Sequence, residues 1–117
     1  MTTQACKAIL VGEGKGWGFL ATVTDQDSWT ALKDSVNTLN LYEVALGEKI
    51  TKAAFGYVAG RGMLRIRNMI TNQVKAMVNG TMIKGIGISM DCWEKFDAPI
   101  VVEQGDIVEA HCNVAST

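Results

Sequence analysis

The sequence predicts a mainly β domain, an antiparallel two-sheet sandwich with at most one or two short helices. Three observations carry that reading. Apolar and polar residues alternate with period two over several separate stretches. β-Branched and aromatic side chains crowd those stretches. Twelve glycines and a single proline divide the 117 residues between them. Hydrophobic residues make up 48% of the chain, enough for one core. Halves of this chain would each be near the size at which a lone core is marginal, so residues 1–117 read as a single domain. The rival class is α+β, with residues 63–79 forming a helix across a sheet.

The first two strands are Gln4 to Val11 and Trp17 to Thr24, joined by Gly12-Glu13-Gly14-Lys15-Gly16. In the second, Trp17, Phe19, Ala21 and Val23 form the greasier row. Glycines after a strand can cradle an anion, but a P-loop needs Ser or Thr after Gly-Lys, where Gly16 stands. A dinucleotide fingerprint needs a glycine at Trp17 or Phe19 and a helix afterwards. The connection therefore reads as a hairpin turn.

Asp27 to Asn40 is the best helix candidate, because Trp29, Leu32, Val36 and Leu39 recur at three and four residues, with Asp27 placed to cap. Thr30, Ser35, Val36, Asn37 and Thr38 are mediocre helix formers, which keeps a long surface connection open. Leu41 to Ala45 reads as a short extended piece, and Leu46-Gly47-Glu48-Lys49 as a turn.

Lys49 to Asn68 reads as a central hairpin. Ala53, Phe55, Tyr57 and Ala59 share one face, Leu64 and Ile66 continue it, and Arg61-Gly62 would be the reversal. That register sets Tyr57 opposite Ile66; a slip of one residue would set it against Arg65. Beyond it, Ile66, Ile70, Val74 and Met77 have helical spacing, whereas Val74, Ala76 and Val78 have strand spacing before Asn79-Gly80. The strand reading is preferred, with Asn-Gly turning into Met82 to Met90. It places Lys75 opposite Lys84, which requires a bulge. Finally, Ile100-Val101-Val102 and Ile107 to Val114 read as a hairpin closed at Gly105-Asp106, with Val108, Ala110, Cys112 and Val114 inward. The expected core is Phe55, Tyr57, Leu64, Ile66, Ile86, Ile88, Val101, Val108 and Ala110.

The formal charge is −1 with no basic run, so the chain offers no broad footprint for nucleic acid. No apolar run approaches the roughly 18 to 20 residues of a membrane span, and the N-terminal stretch lacks a signal-peptide pattern. A soluble, unprocessed protein is expected. Cys6, Cys92 and Cys112 match no zinc or redox spacing. Buried thiols are the expectation, with a pairing of first and last strands left open.

His111, the only histidine, neighbours Cys112. Adjacent strand residues point to opposite faces, so a thiol nucleophile with His111 as base would have to use Cys6 or Cys92. A polar loop around Trp93 and Phe96 is favoured over a carboxylate site of Asp91, Glu94 and Asp97. Trp17, Trp29 and Trp93 raise carbohydrate binding as a further reading. No catalytic residue, cofactor or metal ligand is assigned. Arg65 and Arg67 lie on the outer face of the central hairpin and Arg61 at its tip, either as a solvated face or as an interface. With Val58, Val102 and Ile107 on expected outer faces, these six residues form the candidate interface.

Two stretches carry a family resemblance: GEKITKAAFGYVAGRGMLRIRN followed by NGT, and APIVVEQGDIVEAHCNV. Their turn-and-strand pattern is similar to small jelly-roll-like β-sandwich proteins of virus particles, such as capsid decoration proteins and fibre heads, and covers about the last two thirds of the chain. The resemblance implies a non-enzymatic structural protein of the virion that self-associates or docks on a larger shell; it transfers no functional residue. The alternatives are a carbohydrate- or ligand-binding module and a small Cys/His enzyme.

Overall fold

The computed structural model describes residues 4–25, 27–57, 62–79, 81–82 and 93–112. β1 (Gln4–Gly12) and β2 (Lys15–Val23) form the expected hairpin, in register from Gln4 opposite Val23 to Gly12 opposite Lys15. Its two central residues, Glu13 (φ 51°) and Gly14 (φ 79°), both have positive φ. That is the two-residue turn whose twist matches the flanking strands. Gly12 is fixed by a different constraint, because a Cβ there would overlap the carbonyl oxygen of Lys49.

The helix expected over 27–40 is not formed. Residues 30–34 are instead β3 (Thr30–Asp34), which pairs with β2 on one side and β9 on the other. Leu32 is fully buried, but Val36, on the supposed same helical face, is 82% exposed. Asp34 ends the strand: its Oδ2 accepts the N–H groups of Val36 (3.1 Å) and Asn37 (2.8 Å), the local side-chain bonding that competes with a helix. The one helix among the described residues is α1 (Leu41–Val44), a single turn where an extended piece was expected. Glu43 reaches back to accept the Asn40 N–H at 2.9 Å, and Leu41 is buried.

β4 (Lys49–Tyr57) and β5 (Gly62–Asn68) are both strands, but they do not form a hairpin. β4 pairs with β1, placing Tyr57 opposite Cys6, and β5 pairs with β9, placing Ile66 opposite Val108. β6 (Val74–Asn79) then pairs antiparallel with β5, which excludes the helix over 63–79. β7 (Thr81–Met82) runs parallel to β4, and Gly80 of the expected Asn79-Gly80 turn lies outside the described residues. The expected strand through Met90 and the core residues Ile86 and Ile88 lie outside the described residues.

β8 (Glu94–Val101) joins β4, and β9 (Asp106–Cys112) joins β3 and β5. The expected turn between them is present, with Gly105 at φ 92°, yet its two strands diverge to different partners.

The resulting order is β6-β5-β9-β3-β2-β1-β4-β7, with β8 also on β4. These are mainly antiparallel strands on one continuous path, nearly closed as a barrel, in which β3 links the two halves by pairing with β2 through Lys33 and Asp34 and with β9 through Thr30 to Leu32. Inside lie Leu10, Phe19, Leu32, Phe55, Leu64, Ile66 and Val108, all at most 1% exposed. The seam between β6 and β8 is bridged by Lys75, whose Nζ donates to the carbonyl of Val101 (2.6 Å) and to carboxylates of Glu103 (2.9 Å) and Asp106 (2.7 Å).

Candidate interface on the outer face of the β5 strand

Alternation along β5 turns Leu64 and Ile66 inward and Met63, Arg65 and Arg67 outward. The pairing of β5 with β9 sets Arg65 directly opposite Glu109 and Arg67 opposite Ile107. Glu109 is thereby clasped between two guanidiniums. Arg65 Nε donates to its Oε1 at 2.9 Å, Arg67 Nε donates to the same oxygen at 2.7 Å, and Arg67 Nη2 donates to Oε2 at 3.2 Å. Arg67 also donates to Asn72 Oδ1 at 2.9 Å. Burial alone would push the Glu109 carboxyl up, but the hydrogen bonds from Arg67 and Arg65 outweigh it and hold it below the usual range. The same hydrogen bond raises Arg67 above its ordinary value.

Trp29, just before β3, roofs this cluster. The Arg65 guanidinium carbon sits 3.9 Å from the centre of the indole, and the His111 ring lies 5.3 Å from it. The cluster leaves one net positive charge from two arginines and one carboxylate. Its carboxylate stays ionised near neutrality, which suits it to holding a rigid surface rather than to shuttling protons.

Around this polar centre the face is apolar. Met63 lies on β5, and the β5–β6 register places Met77 opposite Arg65 and Val74 opposite Arg67. All three are about two-fifths exposed, and Met69 (46%) and Ile70 (72%) extend the apolar surface into the connecting turn.

Of the six residues expected at an interface, Arg65 and Arg67 are on this face, while Val58 and Arg61 lie outside the described residues. Val102 and Ile107 are corrected: they are 1% and 3% exposed. Val102 bonds through its N–H to Glu48 and through its carbonyl to Gly47, which turns its side chain into the core. Val101, expected inside, is the exposed one at 46%, a one-residue slip in parity. Ile107 does point outward, but the stem of Arg67 directly opposite is placed to cover it. Ala54, which alternation places on the opposite face of β4 from Phe55, is fully buried as well.

Met63, Val74, Met77, Trp29 and Glu109 are the residues that the sequence reading missed here. Met63 was readable from β5 parity. Val74 was not, because the register of β6 shifts between Ile66 and Arg67 and carries Val74 away from Ala76 and Val78.

The other candidate sites are dispersed. Cys112 points inward to Cys6, the two sulfurs 3.2 Å apart, while His111 points outward to Trp29, so the described residues bring no cysteine to the histidine. Cys92 and Asp91 lie outside the described residues. Glu94 and Asp97 line a groove of about 490 Å³ with Lys75, Lys95 and Phe96 between β6 and β8. The tryptophans do not form a row: Trp17 packs on the core, Trp29 stacks with Arg65, and Trp93 lies under Lys52 Nζ at 4.9 Å. Among the described residues no group of three His, Cys, Asp or Glu is placed to hold a metal ion, and no helix is long and apolar enough to cross a membrane.

Fold and site together define a small, mainly antiparallel sheet nearly closed as a barrel, with an arginine-centred, methionine-rimmed outer face. No protein-family model, curated protein or solved structure matches the chain.

Proposed function

We propose that this chain is a non-enzymatic structural protein that acts by association, a second copy docking on the outer β5–β6 face, as a component of a larger shell such as a virus capsid or its decoration. The observation that carries this reading is the exposed row of Met63, Val74 and Met77 beside Arg65, Arg67 and Trp29. Methionine, arginine and tryptophan are the residue types enriched where protein surfaces meet, and flexible thioethers adapt to a facing surface. The guanidiniums are already fixed by Glu109, so little side-chain entropy remains to be lost when a partner covers them. The likeness of 47–68 and 98–114 to virion sandwich proteins points to the same role.

Light scattering over a range of concentrations tests this. The expected result is a mass that rises above 12.6 kDa with concentration, and a return to the single-chain mass in Met77→Glu, which sets an unpaired charge in the apolar rim. A species of single-chain mass throughout would remove self-association and make the partner a different protein.

A further inference from the structure

Cys6 lies near the start of β1 and Cys112 ends β9, strands that are not neighbours in the sheet. Curling of the sheet nonetheless brings them together across the interior. Their sulfurs are 3.2 Å apart, with Cys6 3% exposed and Cys112 fully buried, although 106 positions separate them in the chain. The packing around the pair is shaped to hold them there. Opposite Cys112 stands Gly62, where an added Cβ would lie 3.1 Å from the Cys112 sulfur and 2.8 Å from the Tyr57 ring. A larger residue would compete for the space that the sulfur occupies.

We infer that Cys6 and Cys112 are a disulfide-forming pair, closed by exchange with a low-molecular-weight disulfide into a covalent clasp between the first and last described strands. A disulfide requires its sulfurs about 2 Å apart, so closing it takes a side-chain rotation of roughly 1 Å rather than a rearrangement of strands. Either cysteine can attack first, because either thiol can donate the hydrogen bond between them and the attacking species is whichever thiolate forms. With Cys112 first, its thiolate attacks one sulfur of the small disulfide and expels the other as a thiolate. Cys6, after giving up its proton, attacks the Cys112 sulfur of the mixed disulfide and expels the second thiolate. The two cysteines lose two electrons and two protons in all, and the small disulfide gains both to become two thiols. Both sulfurs are buried, so the exchange takes place while the strand ends are open, during folding or fraying. The clasp is independent of what docks on the β5 face.

The test uses the Cys92→Ser chain, unfolded and refolded with a mixture of oxidised and reduced glutathione, then mapped by mass spectrometry without reductant. The expected result is a peptide cross-linked between residues 6 and 112, no titratable thiol, and a Tm higher by on the order of 10 °C than that of the reduced protein. Adding dithiothreitol abolishes that shift. Folded protein that keeps two titratable thiols, or carries glutathione on one of them, overturns the inference. Where Cys92→Ser does not refold, the unsubstituted chain is mapped in the same way. The 6–112 link must then exceed any link to Cys92, and a predominant 6–92 or 92–112 link overturns the inference equally.

Discussion

A carboxylate that is 7% exposed between two arginines is sustained by its partners, since an isolated buried charge would neutralise. Glu109→Gln keeps the shape and removes the charge, leaving two guanidiniums facing a neutral amide. The expected loss of stability is about 1–3 kcal/mol, toward the lower end because both arginine side chains keep about a fifth of their surface in water. The pH dependence has a defined sign. The folded pKa of Glu109 is depressed, so its contribution is fully present above the ordinary glutamate range and is lost as pH falls through the lower folded value. Urea unfolding should therefore show a gap between wild type and Glu109→Gln at pH 7 that narrows at acid pH; a gap that widens there contradicts the charge clasp. Gly62 makes a steric prediction instead. An added Cβ would lie 2.8 Å from Tyr57 Cδ1 and 2.9 Å from Phe55 Cε2, both ring atoms in a packed interior. Gly62→Ala should cost about 1–3 kcal/mol, read as a lower urea midpoint at unchanged slope, and a midpoint within error of wild type would show that the rings give way freely.

Among the elements, the β1–β2 hairpin lets a surface residue be improved. Glu13 holds φ 51°, a conformation that costs most non-glycine residues free energy and that asparagine tolerates best. Its ion pair with Lys49, at 3.9 Å and with both side chains more than half exposed, contributes little in return. Glu13→Asn gives the Asn-Gly pair that this turn favours and should raise stability by about 0.5 kcal/mol; thermal unfolding that shows a decrease would mean the ion pair matters more than the turn. This hairpin was also the most legible element in the sequence, because both its strands and its turn are contiguous. Alternation likewise marked β4, β5 and β9 as strands and named Phe55, Tyr57, Leu64, Ile66, Val108 and Ala110 as buried. Pairing was legible only where neighbours in sequence are neighbours in the sheet. The turn at 103–106 has good hairpin chemistry yet joins strands that pair elsewhere, since turn residues specify a reversal and not the partner that follows it, and β4 and β5, expected as one hairpin, likewise take different partners. The helix expected at 27–40 fails for a related reason: a period of three and four over four apolar residues cannot outweigh a strand position that buries Leu32 between β2 and β9. At the interface, the arginines were visible as an outer row, but Glu109 was not, because β9 is not adjacent to β5 in sequence.

At the scale of the whole molecule, the incomplete closure between β6 and β8 leaves two edges, and each carries a feature that discourages pairing with another chain. β8 contains Pro99, the only proline in the sequence, and β6 is kinked by a register shift at Lys75. Prolines, lysines and bulges on edge strands are established means of blocking strand addition. Association is therefore expected through the β5–β6 face and not by extending the sheet. Lys75 has a second effect, because its ammonium spans the seam and bonds to Asp106, which is fully buried and also accepts from Asn68 Nδ2 (2.8 Å) and the Glu103 N–H (2.8 Å). Burial works against the charged lysine, yet its hydrogen bonds to Asp106 and Glu103 prevail and raise its pKa. Its stabilising effect is thus present below the ordinary lysine range and fades as pH rises through the higher folded value. Lys75→Met preserves the stem but strands the Asp106 carboxylate with two neutral donors, and should cost about 3 kcal/mol. Adding Asp106→Asn removes the orphaned charge, so the double variant should be more stable than Lys75→Met alone. Hydrogen exchange should show β6 amides losing protection before those of β1 and β2, as expected if the seam opens first. Unchanged β6 protection in Lys75→Met, together with stability within about 0.5 kcal/mol of wild type, would mean that packing of β6 on β5 alone holds the barrel shut.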